Sequence, residues 1–237
     1  SGSKVYFGNA WQSIELESGE HGQLGDGTTV GKNIPTQIGI ATDWSQIVGG
    51  YNHTVAIKTD GTLWAWGDNS QGQIPLISLA RSSPVQLGTS SWTFISSSGT
   101  ASAAIKSDGS LWTWGTNSNG NMGQGDGTSL HSSPAVVGSS SWSQVSATWS
   151  YTFAIRTDGA LYSWGAGVSG ILGDGTTIPK SSPVQIGTSS WIAIGGVANP
   201  VGITLPYSLF GWGTQAAGQL GLNDVALRSQ PTQIASL

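Results

Sequence analysis

Cysteine is absent from this 237-residue chain, and charged residues make up only 8% of it. Without cysteine there are no disulfide bonds and no thiolate zinc site. No apolar run approaches the roughly 18 residues of a membrane-spanning helix. No apolar N-terminal segment of the signal-peptide type is visible, although a processed chain would lack one. The composition therefore fits the cytosol or a disulfide-free extracellular or virion setting.

Basic residues are also few, with eight Lys and Arg and a formal net charge of −4. A nucleic-acid partner is not expected, because such a surface needs clustered basic charge. A surface of low charge that is rich in Gly, Ser, Thr and Asn slightly favours an extracellular or virion protein over a cytoplasmic one.

Sequence motifs of catalysis are missing as well. No nucleophile elbow, phosphate loop or metal-binding motif is found. The three histidines (His21, His53 and His131) lie in three different contexts. The aspartates fall mainly in turns, and turn formation explains them. We therefore expect no enzymatic activity, no cofactor and no metal.

What the chain does have is a repeat of about 49 residues. The string Leu-Trp-Ala-Trp-Gly at 63–67 returns in related form at 111–115, 161–165 and 209–213, in steps of 48, 50 and 48 residues. A fixed period of this length indicates one supersecondary unit that is copied several times. The predicted repeats of a single domain, 1–237, cover approximately 1–39 (partial), 40–88, 89–138, 139–187 and 188–237.

Within the repeat at 40–88, the pattern predicts four short strands. Alternating or β-rich runs at 44–48, 53–58 and 62–66 predict the first three strands. Asp60-Gly61 predicts a two-residue hairpin with a primed turn between the second and third strands. A run at 84–88 predicts a fourth strand with Pro84 at its first position. Four antiparallel strands per repeat are typical of an all-β fold, the β-propeller blade.

Several of these segments carry a family resemblance. They are Gly-Gln-Leu-Gly-Asp-Gly-Thr at 22–28, His-Thr-Val-Ala-Ile at 53–57, Leu-Trp-Ala-Trp-Gly at 63–67 and Ser-Ser-Pro-Val-Gln at 82–86. The pattern resembles the repeat of the regulator-of-chromosome-condensation family of β-propellers and covers nearly the whole chain. That family includes guanine-nucleotide exchange factors, photoreceptors, ubiquitin-ligase modules and a β-lactamase inhibitor. The resemblance implies a propeller that presents one face to another macromolecule.

The chain has room for about 4.5 to 5 blades, fewer than the seven of the family's best-known propellers. It opens with an expected third strand at 4–8 and closes with an expected fourth strand at 231–234. Three alternatives follow: the termini share one blade, the ring is open and covered by another chain, or the chain is part of a longer protein. Because an uncovered sheet edge promotes aggregation, we expect a protein partner, either another copy or a larger assembly.

The first repeat carries an insertion between Asn9 and Gly22 that contains all three glutamates of the chain. One interpretation is a solvated loop. The other is a partner-binding loop, since loops on a rigid scaffold carry binding. Its candidate binding residues are Trp11, Glu15, Glu17 and Glu20. A metal site that uses these glutamates is disfavoured, because their spacing fixes no coordination geometry.

Aromatic residues precede the second strand of two repeats. Tyr51 and Trp149 occupy one repeat position, and His53 and Tyr151 another. One hypothesis is that these rings pack between blades. The alternative is a binding face, because Tyr and Trp are favoured at interface hot spots.

A basic residue or histidine lies three positions before each repeat proline: Lys32, Arg81, His131, Lys180 and Arg228. These side chains are either a surface for an anionic partner or solvated residues that limit edge pairing. A second basic set (Lys58, Lys106 and Arg156) is expected to face solvent at strand ends. The recurring tryptophans, at 44, 92, 142 and 191 and at 66, 114, 164 and 212, are predicted to fill the wedge between blades.

Together these features predict a non-enzymatic, macromolecule-binding propeller scaffold that presents a blade face and an acidic insertion loop to a protein partner. One alternative is a virion-surface or secreted adhesion or decoration protein that recognises a glycan or a capsid or tail component. A second is a small-GTPase exchange or enzyme-inhibitor module. The chain's length and its lack of basic excess count against GTPase exchange.

Overall fold

A computed structural model of the chain describes residues 4–7, 10–13, 20–126, 128–196, 199–214, 216–222 and 224–234. Two compact units are distinguished by their internal contacts. The first runs to Asp108 and adds Trp112–Thr116 and Leu130–Ala135. The second contains Gly109–Leu111, Asn117–Ser129 and the chain from Val136 onward. The repeat boundaries given above stay predictions.

The described residues form β-strands and one 3-10 turn, Val168–Gly170. Four sheets share one plan of four antiparallel strands in chain order. We name them the first to fourth full blades. The first has β4 (Trp44–Gly49), β5 (His53–Lys58), β6 (Leu63–Gly67) and β7 (Arg81–Gln86); the second β8 (Trp92–Ser98), β9 (Ala101–Lys106), β10 (Leu111–Thr116) and β11 (Leu130–Val136); the third β12 (Trp142–Ala147), β13 (Tyr151–Arg156), β14 (Leu161–Gly165) and β15 (Lys180–Gln185); the fourth β16 (Trp191–Gly195), β17 (Val201–Thr204), β18 (Ser208–Gly213) and β19 (Arg228–Gln233).

The repeat therefore folds as the sequence predicts, into the blades of a β-propeller fold. Across the parts of the chain that the structure describes, no helix has the length and apolar character needed to cross a bilayer.

Burial in the first full blade changes from strand to strand. In β5 the residues His53–Ile57 are all buried, whereas β4 alternates and β7 is half-buried or exposed throughout. A strand that is covered on both faces is expected to have such a continuous buried run. The second strands of the first three full blades thus form the core, and the fourth strand of each full blade is its outer edge.

The hairpin between β5 and β6 differs from the predicted two-residue turn. Gly61 N donates to Lys58 O at 2.9 Å, and Lys58 N donates to Thr62 O at 3.0 Å, so the loop has three residues. Gly61 has a φ of +82°, but among the described residues positive φ outside glycine is found at Leu76, Ser169 and Tyr207, not at Asp60. This is a type I turn followed by a bulge, in which only the glycine needs left-handed φ.

The outer strands begin earlier than predicted. β7 starts at Arg81, so Pro84 lies inside the strand rather than at its first position. The pairing with β6 shifts register between Ala65 and Gly67. A bulge in an edge strand accommodates proline, since no ladder donor is lost there.

The N-terminal sheet departs from the expected half blade. β1 (Lys4–Phe7) pairs antiparallel with β2 (Ala10–Ser13) and parallel with β3 (Thr36–Gln37). The beginning of the insertion is thus a strand and not a loop. Its pairing covers one edge of β1, which the predicted arrangement would have left open.

Candidate functional site

The recurring tryptophans at the end of each third strand tie the blades together. Their side chains are fully buried, and each indole Nε1–H donates to a backbone carbonyl more than forty residues earlier in the chain, at 2.8–2.9 Å. The pairs are Trp66 with Gln23, Trp114 with Gln73, Trp164 with Asn121 and Trp212 with Ile171. The predicted burial of these rings is confirmed, and the four accepting carbonyls mark equivalent positions in the repeats.

Two of the four aromatic-position candidates are exposed. Tyr51 is 52% exposed and Trp149 is 55% exposed. Backbone hydrogen bonds fix both loops: Tyr51 N donates to Gly99 O at 2.7 Å, and Thr148 N donates to Tyr151 O at 2.9 Å across the turn that carries Trp149. These two rings are therefore held on ordered loops at the surface.

The other two aromatic-position candidates, His53 and Tyr151, are buried. Tyr151 packs edge-to-face on Phe153, with ring centroids 5.5 Å apart. Burial raises the pKa of Tyr151 to about 12, and its hydrogen bond with Thr148 opposes the rise only in part. These side chains belong to the core, as the packing interpretation expects, and do not present their rings to a partner.

His53 belongs to a buried polar cluster with two serines. Its Nε2 lies 2.9 Å from both Ser97 Oγ and Ser102 Oγ, and the two hydroxyls are 3.0 Å apart. Ser97 donates to Ala101 O, so it accepts from its other neighbours. Among the described residues Nδ1 has no hydrogen-bond partner, and a side chain at Gly50 would collide with it. Since an unpaired acceptor costs less than an unpaired donor, we assign the proton to Nε2.

Burial lowers the pKa of His53 to about 4, and the negative charge of Asp68 opposes this shift. The imidazole is therefore neutral near pH 7. Both the imidazole and the Ser102 hydroxyl are closed off from solvent. The cluster has the residue types of a nucleophile and base pair, but two of its three members, His53 and Ser102, are buried.

Three of the basic candidates are neutralised by aspartates. Lys32 Nζ lies 3.1 Å from Asp26 Oδ2, Lys180 Nζ lies 3.2 Å from Asp174 Oδ2, and Arg228 pairs with Asp224 at 2.5 Å. Burial works against ionisation of Asp26 and Asp174, but hydrogen bonds from the following Thr and the neighbouring Lys hold the pKa of each below its ordinary value.

Arg81 differs from those three. Arg81 donates to Ala80 O at 3.3 Å and, within the described part of the chain, pairs with no carboxylate. His131 is the second residue of β11 and is half-buried. Evenly spaced residues in the sequence therefore carry unequal net charge in the structure.

The second basic set does not simply face solvent, and that prediction is wrong. Lys58 Nζ lies 4.8 Å from the ring centre of Trp64, Lys106 Nζ lies 3.9 Å from that of Trp112, and Arg156 lies 5.3 Å from that of Tyr162. These are cation–π contacts. The signal in the sequence was a basic residue in three of the repeats that is matched by an aromatic residue on the next strand.

The insertion residues are placed only in part. Glu15 and Glu17 lie outside the described residues, and of Trp11 only its position in β2 is described. Glu20 is exposed. Their role in binding a partner stays a prediction. Among the described residues no group of three or more His, Cys, Asp or Glu is arranged to hold a metal ion.

Comparison with known proteins agrees with this architecture. A family model described as the regulator of chromosome condensation (RCC1) repeat matches residues 18–57, 108–155 and 158–196, more than half of the chain. A second model of the same description matches 44–73 and 142–171. Over 71 residues the chain is 39% identical to the ultraviolet-B receptor UVR8 of Arabidopsis thaliana, a match that covers 29% of this chain and 16% of the receptor.

Solved structures share the fold. Human WBSCR16 superposes with a TM-score of 0.80 at 19% identity, over 95% of this chain and 62% of its own. Prp20p of Saccharomyces cerevisiae superposes with a TM-score of 0.73 at 19% identity, over 83% of this chain and 52% of its own. The chain thus spans less than two thirds of the length of each of these relatives.

Proposed function

Because the chain belongs to the regulator of chromosome condensation (RCC1) repeat family, we propose that it is a non-enzymatic β-propeller scaffold that binds a protein partner. Prp20p, which shares the fold, has been studied for its binding to Gsp1p and histones, and Kap60 has been crystallised bound to it. Those partners belong to Prp20p. For this chain we infer only the mode of action, in which a rigid blade scaffold presents loops to another protein.

The observation that carries the proposal is the pair of half-exposed rings on fixed loops. Tyr51 and Trp149 each leave about half of their surface in water. Burying such a ring at an interface removes its apolar surface from water, which favours binding. A loop that is already ordered loses little entropy when it binds. Large aromatic side chains in this state are typical of interface anchors.

The distribution of chemical groups supports a binding function over catalysis. The cluster of His53, Ser97 and Ser102 lies in the core, and His53 and Ser102 are shut off from solvent. Carboxylates such as Asp26 and Asp174 are already engaged by Thr and Lys side chains. The groups that catalysis would need are therefore used to hold turns and blades.

The test is a selection of binding peptides with the full chain as bait. A phage-displayed random peptide library is the probe, and enriched peptides are measured by isothermal titration calorimetry. We expect Tyr51→Ala or Trp149→Ala to weaken binding by roughly tenfold or more. Tyr207→Ala is the matched control, because Tyr207 is 80% exposed but lies at a hairpin outside the candidate loops.

Absence of any enriched peptide, or binding that survives the double substitution at Tyr51 and Trp149, would contradict the proposal. A parallel glycan array separates the alternative ligand class. Glycan binding in place of peptide binding would favour the adhesion hypothesis instead.

A further inference from the structure

The first full blade differs from its neighbours in the loop before its outer strand. The carbonyls that accept the indole hydrogen bonds fix the register between repeats. Three residues beyond Gln23 lies Asp26, and three residues beyond Gln73 lies Leu76. An apolar side chain thus replaces the acid of the Gly-Asp-Gly-Thr turn.

In the second unit, Gln124 lies three residues beyond the accepting residue Asn121, but the corresponding position beyond Ile171 carries an acid. Three residues beyond Ile171 lies Asp174, which pairs with Lys180. Arg81 occupies the position of Lys180 at the start of its outer strand, and it has Leu76 where Lys180 has an aspartate. Arg81 therefore differs from Lys32, Lys180 and Arg228, which each pair with an aspartate, because Arg81 has no carboxylate partner among the described residues.

A second cation in the same unit, Lys106, lacks the carboxylate that pairs with Lys58. Lys58 Nζ lies 3.2 Å from Asp43 Oδ1. The residue that corresponds to Asp43 beside Lys106 is Ser91, since Thr59 N donates to Asp43 O as Ser107 N donates to Ser91 O. Lys106 rests on tryptophan rings and forms no ion pair within the described residues.

Two leucines in the loop before Arg81 expose apolar surface. Leu76 is 63% exposed and Leu79 is 65% exposed. Leu76 also has a φ of +67°, a left-handed conformation that is unfavourable for leucine. The side chain is mostly exposed, so little packing offsets the cost of this backbone conformation.

Leu76 lines two neighbouring cavities. One is an open groove of about 700 Å³ that Arg81 and Leu130 also line. The other is a deeper pocket of about 200 Å³ whose walls include Lys106 and Trp112. Arg81 and Lys106 thus line two cavities that share Leu76, and we name the two cavities together the Leu76 groove.

We propose that the Leu76 groove docks an acidic peptide segment of a protein partner. Carboxylates of the segment pair with Arg81 and Lys106, and an apolar side chain between them packs against Leu76 and Leu79. This inference rests on the proposed function and adds the site and the chemistry of the partner. Charge complementarity selects this occupant, because Arg81 and Lys106, which have no carboxylate partner among the described residues, line two cavities that share the apolar side chain of Leu76.

The experiment uses the full chain and a fixed panel of fluorescein-labelled peptides, each with one Leu or Phe flanked by two Glu at several spacings. Fluorescence anisotropy measures binding at low and high NaCl. We expect at least one spacing to bind, with affinity that falls as salt rises. Panels with Gln in place of Glu, or Ser in place of the apolar residue, are expected to bind at least about tenfold more weakly.

The variants are chosen from the repeat itself. Arg81→Gln and Lys106→Gln are each expected to weaken binding about tenfold. Leu76→Asp restores the acid found at Asp26 and is expected to abolish binding, because it compensates Arg81 from within. Aspartate tolerates the left-handed conformation, and an unchanged melting temperature confirms that this variant is folded. Arg156→Gln is the control, since Arg156 already pairs with Asp158.

Equal binding of the Glu and Gln panels, or binding that is unaffected by Arg81→Gln and Lys106→Gln, overturns the inference. So does equally strong, Arg81-dependent binding of a heparin oligosaccharide, which would show a general anion site. Library peptides that depend on Tyr51 or Trp149, together with a panel that fails, overturn the groove and leave the scaffold function standing. If the Glu panel binds but the library selection fails, the result supports the Leu76 groove and excludes the loops of Tyr51 and Trp149 as the binding site.

Discussion

Trp114 donates its indole hydrogen to the backbone carbonyl of Gln73, 41 residues earlier in the chain, at a distance of 2.8 Å. The Trp114 ring is fully buried, and its centroid lies 6.4 Å from the ring centroid of Trp92. A single side chain thus fills space and satisfies a carbonyl of the preceding loop. That pairing explains why the third strand of each full blade carries tryptophan at this position and not another aromatic residue.

The loss of this hydrogen bond is expected to destabilise the fold. Trp114→Phe leaves the Gln73 carbonyl buried without its donor and opens a small cavity, so we expect a loss of about 2–4 kcal/mol in the free energy of unfolding. Urea denaturation measures it. Trp112→Phe is the control, since the equivalent position holds Phe210, and its loss is expected to be clearly smaller. Equal losses in the two variants would contradict the role assigned to the indole N–H.

Glycine at the end of each third strand is required by the backbone. Gly115 has a φ of +99°, and a Cβ there would lie 2.1 Å from Thr100 O. Gly115→Ala is therefore expected to lower stability by about 2 kcal/mol or more, measured as the urea midpoint at constant slope. At Gly195 a Cβ would meet nothing within 4 Å. Gly195→Ala is expected to change stability by about 0.5 kcal/mol or less, and the reverse order would contradict this account.

The buried imidazole of His53 predicts a pH-dependent stability. Its pKa in the folded state, about 4, is below the unfolded value of 6.5, so protonation favours unfolding. The stabilising contribution is complete above pH 6.5 and is lost as pH falls from there through 4, up to about 3 kcal/mol. His53→Gln should flatten the dependence in this window, while acid-sensitive carboxylates such as Asp68 still contribute in both proteins. Parallel stability curves for the two proteins between pH 7 and 4.5 would sink the prediction.

The exposed rings are expected to matter for binding and not for folding. Tyr51→Ala and Trp149→Ala should each lower the free energy of unfolding by about 1 kcal/mol or less, because half of each ring is already in water. Phe153→Ala, at a fully buried ring, is expected to lose about 3–5 kcal/mol. Thermal and urea unfolding of the three variants check this. A large loss at Trp149 would assign that ring to the core.

Much of the fold could be predicted from the sequence, because the same pattern of strands and turns recurs in each repeat. The strands 44–48 and 53–58 were predicted almost to the residue, since apolar alternation and β-branched residues coincide there. The predicted start of the outer strand at Pro84 is wrong, because β7 already begins at Arg81. The prediction rests on the missing N–H of proline, which favours the first position of a strand. The structure accommodates it with a bulge opposite Ala65 and Gly67.

The candidate site was less accessible to sequence reasoning. His53 and Tyr51 are two residues apart and equally polar in type, yet one is buried and the other is exposed. Which side chain points inward depends on strand register, and the loop before β5 has no periodicity that fixes it. Likewise, Arg81 and Lys180 occupy the same repeat position. Only the structure shows that Lys180 pairs with Asp174, whereas Arg81 has Leu76 at the position of that aspartate.

The central claim is that surface loops with exposed aromatic rings bind a protein partner, and ¹⁹F NMR tests it most directly. The full chain is labelled with fluorotyrosine and 5-fluorotryptophan, and Tyr51→Phe and Trp149→Phe assign the two signals. The tightest library peptide is then titrated. The account predicts that the Tyr51 or Trp149 resonance shifts with saturation, while those of Trp66, Trp114, Trp164 and Trp212 stay fixed. Binding that moves the buried tryptophans and leaves both exposed rings unchanged would contradict it.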